Sequence, residues 1–222
     1  MTDLARHLRG RTHLAARDVE VAGHTYRLTH PASAEALFDE REFALDERIP
    51  YWADLWPSAH ALARRLAGLD LAGKTGVELG CGIGLPSAVA ARRGASVTLT
   101  DHYAPALDFA AHNVLENSGV EAETRLLDWH RPGEGLEGLG PFDLVLAADV
   151  LYERRNVAPL ADLVPKLLAE GGEALFADPR RAGGELFLRE MERRGFSVRS
   201  EAAVVVEDGR PVNVAVHSLR RG

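Results

Sequence analysis

At 222 residues, with 46% hydrophobic and 27% charged residues, the chain has the size and composition of one folded domain with a short extension, not of a disordered or fibrous protein. Its net charge of −7, from 33 acidic against 26 basic residues, lacks the basic surplus that releases counterions from nucleic-acid phosphates and suits a cationic partner better. The single cysteine, Cys81, excludes an intramolecular disulfide, and the chain shows neither a signal peptide nor an apolar run of about 18 residues, so a cytoplasmic monomer with no nucleic-acid or membrane partner is expected.

In chain order, residues 19–29 read as one strand and 32–38 as a short helix. Residues 51–57 form an aromatic-rich turn, and Ser58 has the side chain of an N-cap for a helix ending near Ala67. From residue 75 a regular alternation sets in. Strands are expected at 75–79, 96–100, 121–127, 142–147 and 173–177, with helices at 85–93, 104–117, 157–169 and 185–194. Gly94, Gly119 and Gly171-Gly172 sit where helices should end, and a polar, glycine-rich loop occupies 130–141. Two last strands, 196–206 and 212–219, flank Asp208-Gly209, a hairpin signal. This order predicts an α/β fold: a doubly wound, mostly parallel sheet of seven strands ending in an antiparallel C-terminal hairpin. Residues 1–56 are read as an N-terminal extension and 57–222 as the main domain.

Between the strand at 75–79 and the next helix stands Val77-Glu78-Leu79-Gly80-Cys81-Gly82-Ile83-Gly84. Glycines at this spacing let the backbone turn sharply and approach a ligand closely. The dinucleotide fingerprint would need its third glycine where Leu85 stands, and a phosphate-cradling loop needs Gly-Lys-Ser/Thr where this chain has Gly84-Leu85-Pro86. What remains is an acidic residue followed by G-x-G-x-G, either a plain tight turn or a cradle for a ligand without phosphate. Asp101 follows the second strand of the alternation, and Asp128-Trp129 the third. Singly, such an Asp is an ordinary turn or cap residue and Trp129 an ordinary core residue. Together, three acidic positions after three successive strands gather at one sheet edge, where ligands bind in such sheets.

The loop resembles motif I of the class I methyltransferases, whose cofactor, S-adenosylmethionine, is a zwitterion with a sulfonium. The resemblance implies that Glu78 serves the amino group of the methionine moiety, usually through water, and that Gly80, Gly82 and Gly84 admit the cofactor. It assigns Asp101 to the ribose hydroxyls, Asp128 to the adenine amino group and Trp129 to a stacking face. Ala148-Asp149-Val150-Leu151-Tyr152, together with Tyr51-Trp52-Ala53-Asp54-Leu55-Trp56-Pro57, looks like the seven-stranded protein lysine methyltransferases with a D-x-x-Y motif. Within that family the segment at 50–57 is most similar to the enzymes acting on the β subunit of electron transfer flavoprotein. This likeness runs from about residue 49 to the C-terminus. It implies that Trp56 and Ala148 lie beside the cofactor, that Asp149 and Tyr152 stand at the reactive end, and that the product is S-adenosylhomocysteine.

Methyl transfer is an in-line displacement that needs a neutral nucleophile within about 3–3.5 Å of the methyl group. A lysine amine, with a pKa of about 10.4, must therefore lose its proton. A sulfonium favours the neutral amine, whereas a lone Asp149 opposes it, so Asp149 is read as an orienting acceptor and substrate selector and Tyr152 as an aromatic wall. The alternative makes Asp149 the N-cap of the next helix and Tyr152 its first packed aromatic. Trp52 and Trp56, four apart, face one way if helical, and either pack the extension onto the sheet or line the pocket. Asp178-Pro179-Arg180 touches substrate or caps a helix. Asn113 and the nine histidines show no metal-ligand spacing, and no metal is expected. The expected partner is a protein with an accessible lysine. The alternatives are a small, nicotinamide-like nitrogen nucleophile and an inactive cofactor-binding module.

Overall fold

The computed structural model describes residues 13–33, 50–207 and 209–222. The helix expected at 32–38 falls, from residue 34 on, outside them, as does Asp208.

Residues 19–29 are not one strand. The chain runs out along β1 (Leu14–Val21), turns at Ala22-Gly23 and returns along β2 (His24–Pro31), with Val21 opposite His24. Both turn residues have positive φ, 50° and 79°, as a two-residue loop matching the strand twist requires. Gly23 meets that demand without strain, and the apolar positions Val19, Val21, Tyr26 and Leu28 stay buried on the inner face. A short 3-10 turn, Tyr51–Ala53, then leads into α1 (Pro57–Ala67). Ser58 does not cap this helix. Pro57 begins it, where a missing N–H costs nothing, and Trp56 holds the N-cap position without a side-chain bond.

The alternating region follows as β3 (Thr75–Leu79), α2 (Leu85–Arg92), β4 (Ser96–Asp101), α3 (Ala104–Ser118), β5 (Glu123–Leu126), β6 (Phe142–Ala148), α4 (Val157–Leu167), β7 (Leu168–Asp178), α5 (Ala182–Arg193), β8 (Phe196–Glu207) and β9 (Arg210–Arg221). The strand expected at 173–177 starts earlier. α4 closes at Leu167 and the chain enters β7 directly, through an irregular register opposite Phe142–Leu144.

The seven strands lie in the order β5-β4-β3-β6-β7-β9-β8, parallel from β5 to β7, with β9 antiparallel to both its neighbours. The order reverses between β3 and β6, so the carboxyl ends of these two strands open a crevice. Strand alternation divides the core. Val77 and Leu79 of β3 face Phe176 and Phe187, whose rings stack with centroids 4.6 Å apart. Glu78 points to the opposite face, where α2 and α3 pack. Val19, Val21, Tyr26 and Leu28 of the hairpin join the core on that side.

Candidate functional site

The carboxyl ends of β3, β4 and β6 converge on a cavity of about 380 Å³, within the range of small-molecule sites. Glu78, Gly80, Gly82 and Gly84 line it from the first loop, Asp101 from the second, Asp128 and Trp129 from the third, and Ala148, Asp149 and Tyr152 from the fourth. Tyr51, Trp52 and Trp56 close one side. The hairpin residues do not reach it.

Two of the cavity's carboxylates are buried with no counterion among the described residues. Glu78 accepts from the backbone N–H of Ser87 at 3.1 Å and from the Ser87 hydroxyl. Burial nevertheless pushes its pKa up to about 8, with Ser87 opposing and the nearby Asp101 reinforcing the rise. Asp101 is raised to about 6 by burial, against hydrogen bonds from the backbone at Tyr103, Gly82 and His102. Its Oδ1 accepts from Tyr103 N and its Oδ2 from Gly82 N, both at 3.0 Å, so this carboxylate also holds the glycine loop in place.

The glycines divide the work of the loop. All three have positive φ, from 51° to 82°. A Cβ on Gly82 would lie 3.1 Å from the carbonyl oxygen of Trp52, and one on Gly84 would stand 2.9 Å from the Ala110 backbone. Gly84 therefore serves the packing of the loop on α3, and Gly82 admits the aromatic segment that walls the cavity. Trp129 lies against Gly80, and its buried indole Nε1 has no partner among the described residues. Asp128 accepts from His130 N at 2.9 Å, which shapes the turn carrying both residues.

At the other end of the cavity Asp149 is 8% exposed and has φ of 57°, a strained conformation for a non-glycine residue. It caps no helix: α4 starts at Val157, with Asn156 before it. Its Oδ1 accepts from Arg181 Nε at 2.9 Å and its Oδ2 from the Ser58 hydroxyl at 3.2 Å. No spacing in the sequence points to either contact: Ser58 has the side chain of a helix cap, and Arg181 is brought 32 residues along the chain by β7. Tyr152 is half-exposed at the mouth, edge-on to Tyr51 at 5.6 Å, which is in turn edge-on to Trp56 at 5.9 Å. Loss of solvent pushes the Tyr152 hydroxyl up to about 12, helped by Glu153 and Asp101.

Trp52 and Trp56 do not share a helical face, because the chain straightens at Asp54 between them. Trp52 packs on Phe109 while Trp56 Nε1 donates to Tyr51 O at 2.9 Å, and both still reach the cavity. Asp178 turns inward, accepting from Arg181 N at 2.6 Å, and does not line the cavity. Asn113, which carried no signal in the sequence, joins the hairpin to the glycine loop. Its amide bonds Thr29 N, Thr29 O and Ile83 O at 2.8–2.9 Å.

The donor set suits S-adenosylmethionine. Among the described residues no lysine lines the cavity and its arginines, Arg131 and Arg155, have about half or more of their side-chain surface exposed, so these residues make no phosphate cradle. Among the described residues two buried carboxylates lack a cation, which suits a ligand that brings its own positive charge, and the Trp129 N–H has no partner. Among the described residues no cluster of His, Cys, Asp and Glu could hold a metal ion.

Comparison with known proteins agrees with this chemistry. The chain is 34% identical to protein N-lysine methyltransferase METTL21A of Danio rerio, over 77% of this chain and 81% of that protein. It is 31% identical to EEF1A lysine methyltransferase 3 of Mus musculus, over 78% and 74% of the two chains. The crystal structure of the N-methyltransferase NodS from Bradyrhizobium japonicum WM9, in complex with S-adenosyl-L-homocysteine, superimposes with a TM-score of 0.59 at 20% identity, covering 85% of this chain and 97% of that one, and so shares the fold. A family described as lysine methyltransferase matches residues 52–194. With the sheet order, the glycine loop and the acidic strand ends already in place, this chain belongs to the lysine methyltransferase family.

Proposed function

We propose that the protein transfers a methyl group from S-adenosylmethionine to the side-chain nitrogen of a lysine in a protein substrate. The observation that carries the reading is Asp149. It is a buried carboxylate in a left-handed backbone, anchored by Arg181 and Ser58, and it lines the same cavity as Glu78, Asp101 and the aromatic side chains of Tyr51, Trp56 and Tyr152.

In this proposal Glu78 faces the ammonium of the cofactor and Asp101 its ribose hydroxyls. Asp128 and Trp129 hold the adenine, while Gly80, Gly82, Gly84, Trp56 and Ala148 shape the wall. When bound, the cofactor supplies an electrophilic methyl group. Asp149 accepts a hydrogen bond from the incoming amine and fixes its approach, and Tyr152 with Tyr51 narrows the mouth to a slender, flexible side chain. Residues 1–56 act as an extension whose aromatic segment completes the cavity of the catalytic domain at 57–222. The protein works as a cytoplasmic monomer, with Cys81 free and buried.

The test is methyl transfer from tritiated S-adenosylmethionine into desalted lysate protein of the source organism, followed by hydrolysis to amino acids. Label recovered as methyl-lysine is the expected result. Label that enters only the small-molecule fraction replaces the protein-lysine reading with the metabolite one.

A further inference from the structure

Asp149 lines the cavity, but the two groups that hold it do not. Arg181 Nε bonds Oδ1 from the loop between β7 and α5, and Ser58, in the first turn of α1, bonds Oδ2. Ser58 belongs to the amino-terminal turn of α1, the positive end of that helix's dipole. Arg181's side chain is 40% exposed and Asp149's 6%, so the guanidinium stays partly solvated behind a carboxylate that is not. A lone buried carboxylate would hold an approaching amine as its ammonium, which has no lone pair to offer. Pairing with a guanidinium removes most of that field. It leaves the carboxylate's remaining lone pairs free to orient the acceptor.

We infer that Arg181 is a positioning residue that cancels the charge of Asp149, so that a nitrogen acceptor reaches the methyl group in its neutral form. This rests on the methyltransferase reading of the same cavity, and it holds for any nitrogen acceptor that titrates. The acceptor first releases one proton to solvent. Its lone pair then forms the N–C bond as the C–S bond breaks; the sulfonium becomes a neutral thioether and the positive charge passes to the methylated nitrogen.

The charged groups around Asp149 leave this effect visible. Asp178, at the end of β7, is raised to about 6 chiefly by burial, with Asp149 reinforcing and Arg181 opposing the rise, and Asp101 is also raised to about 6, so both are ionised above pH 7 in the wild-type protein. Tyr152 titrates at about 12, above the working range, and Glu153 is paired with Arg155. Glu78, at about 8, lies at the cofactor end and does not touch Arg181.

The experiment is a set of single-turnover rates from pH 6.5 to 10.5, with enzyme and tritiated S-adenosylmethionine in excess. Desalted lysate protein and the small-molecule fraction serve separately as acceptors. Arg181→Gln should move the midpoint of the rate profile up by about one pH unit, so that it is about ten-fold slower at pH 7.5 and within about two-fold of wild type at pH 10.5. Arg181→Lys, which keeps the charge, should restore the wild-type midpoint. Asp149→Asn should lower the plateau but move the midpoint toward acid, because an uncancelled guanidinium remains. An unmoved midpoint in Arg181→Gln, or equal slowing at every pH, overturns the inference. If Arg181→Gln does not fold, an unmoved midpoint in Asp149→Asn does so instead. Label confined to metabolites removes the protein-lysine reading, while the same shift in their profile still decides the role of Arg181. Absence of label from both fractions overturns both.

Discussion

Asn113 and Asn117, one turn apart on α3, pair with the free edge of β2 as a neighbouring strand would. Asn113 bonds N–H and C=O of Thr29, and Asn117 bonds N–H and C=O of Arg27, all at 2.8–2.9 Å. The spacing works because four helical residues rise about 6 Å, close to the two-residue repeat of a strand, about 6.6 Å. The hairpin is thereby fastened to the helix that also supports Gly84.

This arrangement makes the two amides unequal. Asn113 is fully buried and also donates to Ile83 O in the glycine loop, whereas the Asn117 contacts are exposed. Asn113→Ala should cost about 2–4 kcal/mol of stability, since three backbone groups lose their partner, and should weaken S-adenosylmethionine binding through the loop. Asn117→Ala should cost about 1 kcal/mol or less. Urea denaturation with calorimetric titration checks both. Equal losses would show that the link to Ile83 contributes nothing.

Glu78 predicts an unusual dependence on pH. Its folded value of about 8 lies above the ordinary 4.5, so the native state holds a proton that the unfolded chain has released. Stability of the ligand-free protein should therefore fall as pH rises from about 4.5 to 8, with Asp101 adding to the fall below about 6. Glu78→Gln should flatten the upper part of this profile in thermal melts. An ammonium needs the ionised carboxylate, so binding near pH 7 should release a proton, and at pH 9 it should not. Calorimetry in buffers of different ionisation enthalpy measures this, and binding at pH 7 without proton release would remove Glu78 from the ammonium subsite.

Asp101 is proposed to serve ligand and loop together. Asp101→Ala should weaken S-adenosylmethionine binding by about 100-fold or more, since two charge-assisted hydrogen bonds worth about 1.5–3 kcal/mol each are lost. It also frees Gly82 N. Calorimetry on a folded variant with unchanged affinity would take Asp101 out of the site.

Gly82 and Gly84 should separate by assay. Gly84→Ala meets the Ala110 backbone at 2.9 Å with φ of 82°, and should destabilise the fold by about 2–4 kcal/mol. Gly82→Val acts on the Trp52 carbonyl at the cavity wall, so its main loss should be cofactor binding. Denaturation and binding measured on the same preparations decide the matter. A Gly84→Ala protein as stable as wild type would contradict the packing role.

Asp149→Asn and Tyr152→Phe should slow methyl transfer about ten-fold or more while leaving cofactor affinity within a few fold, because both are proposed to act on the acceptor and not on the cofactor. Tyr152→Phe keeps the edge contact with Tyr51 and should be the milder of the two. Affinities that fall in step with the rates would move both residues into the cofactor subsite.

By itself the sequence determined the strand and helix alternation, the sheet class, the glycine loop and the acidic strand ends. These are local signals: apolar periodicity, glycines at fixed offsets, and a carboxylate where each strand stops. It was also enough for the family, through D-x-x-Y and the aromatic segment. The hairpin was missed because apolar residues continue on both sides of Ala22-Gly23 and hide the turn. Only the tertiary structure decided what Asp149 touches. Ser58 and Arg181 come from elements 91 and 32 residues away, and their meeting depends on how α1 and β7 pack, not on any spacing in the chain. The same holds for Asn113, whose amide has meaning only once β2 lies beside α3. Periodicity reports which face of an element is buried, whereas the partner of a buried polar group is set by elements brought together from afar.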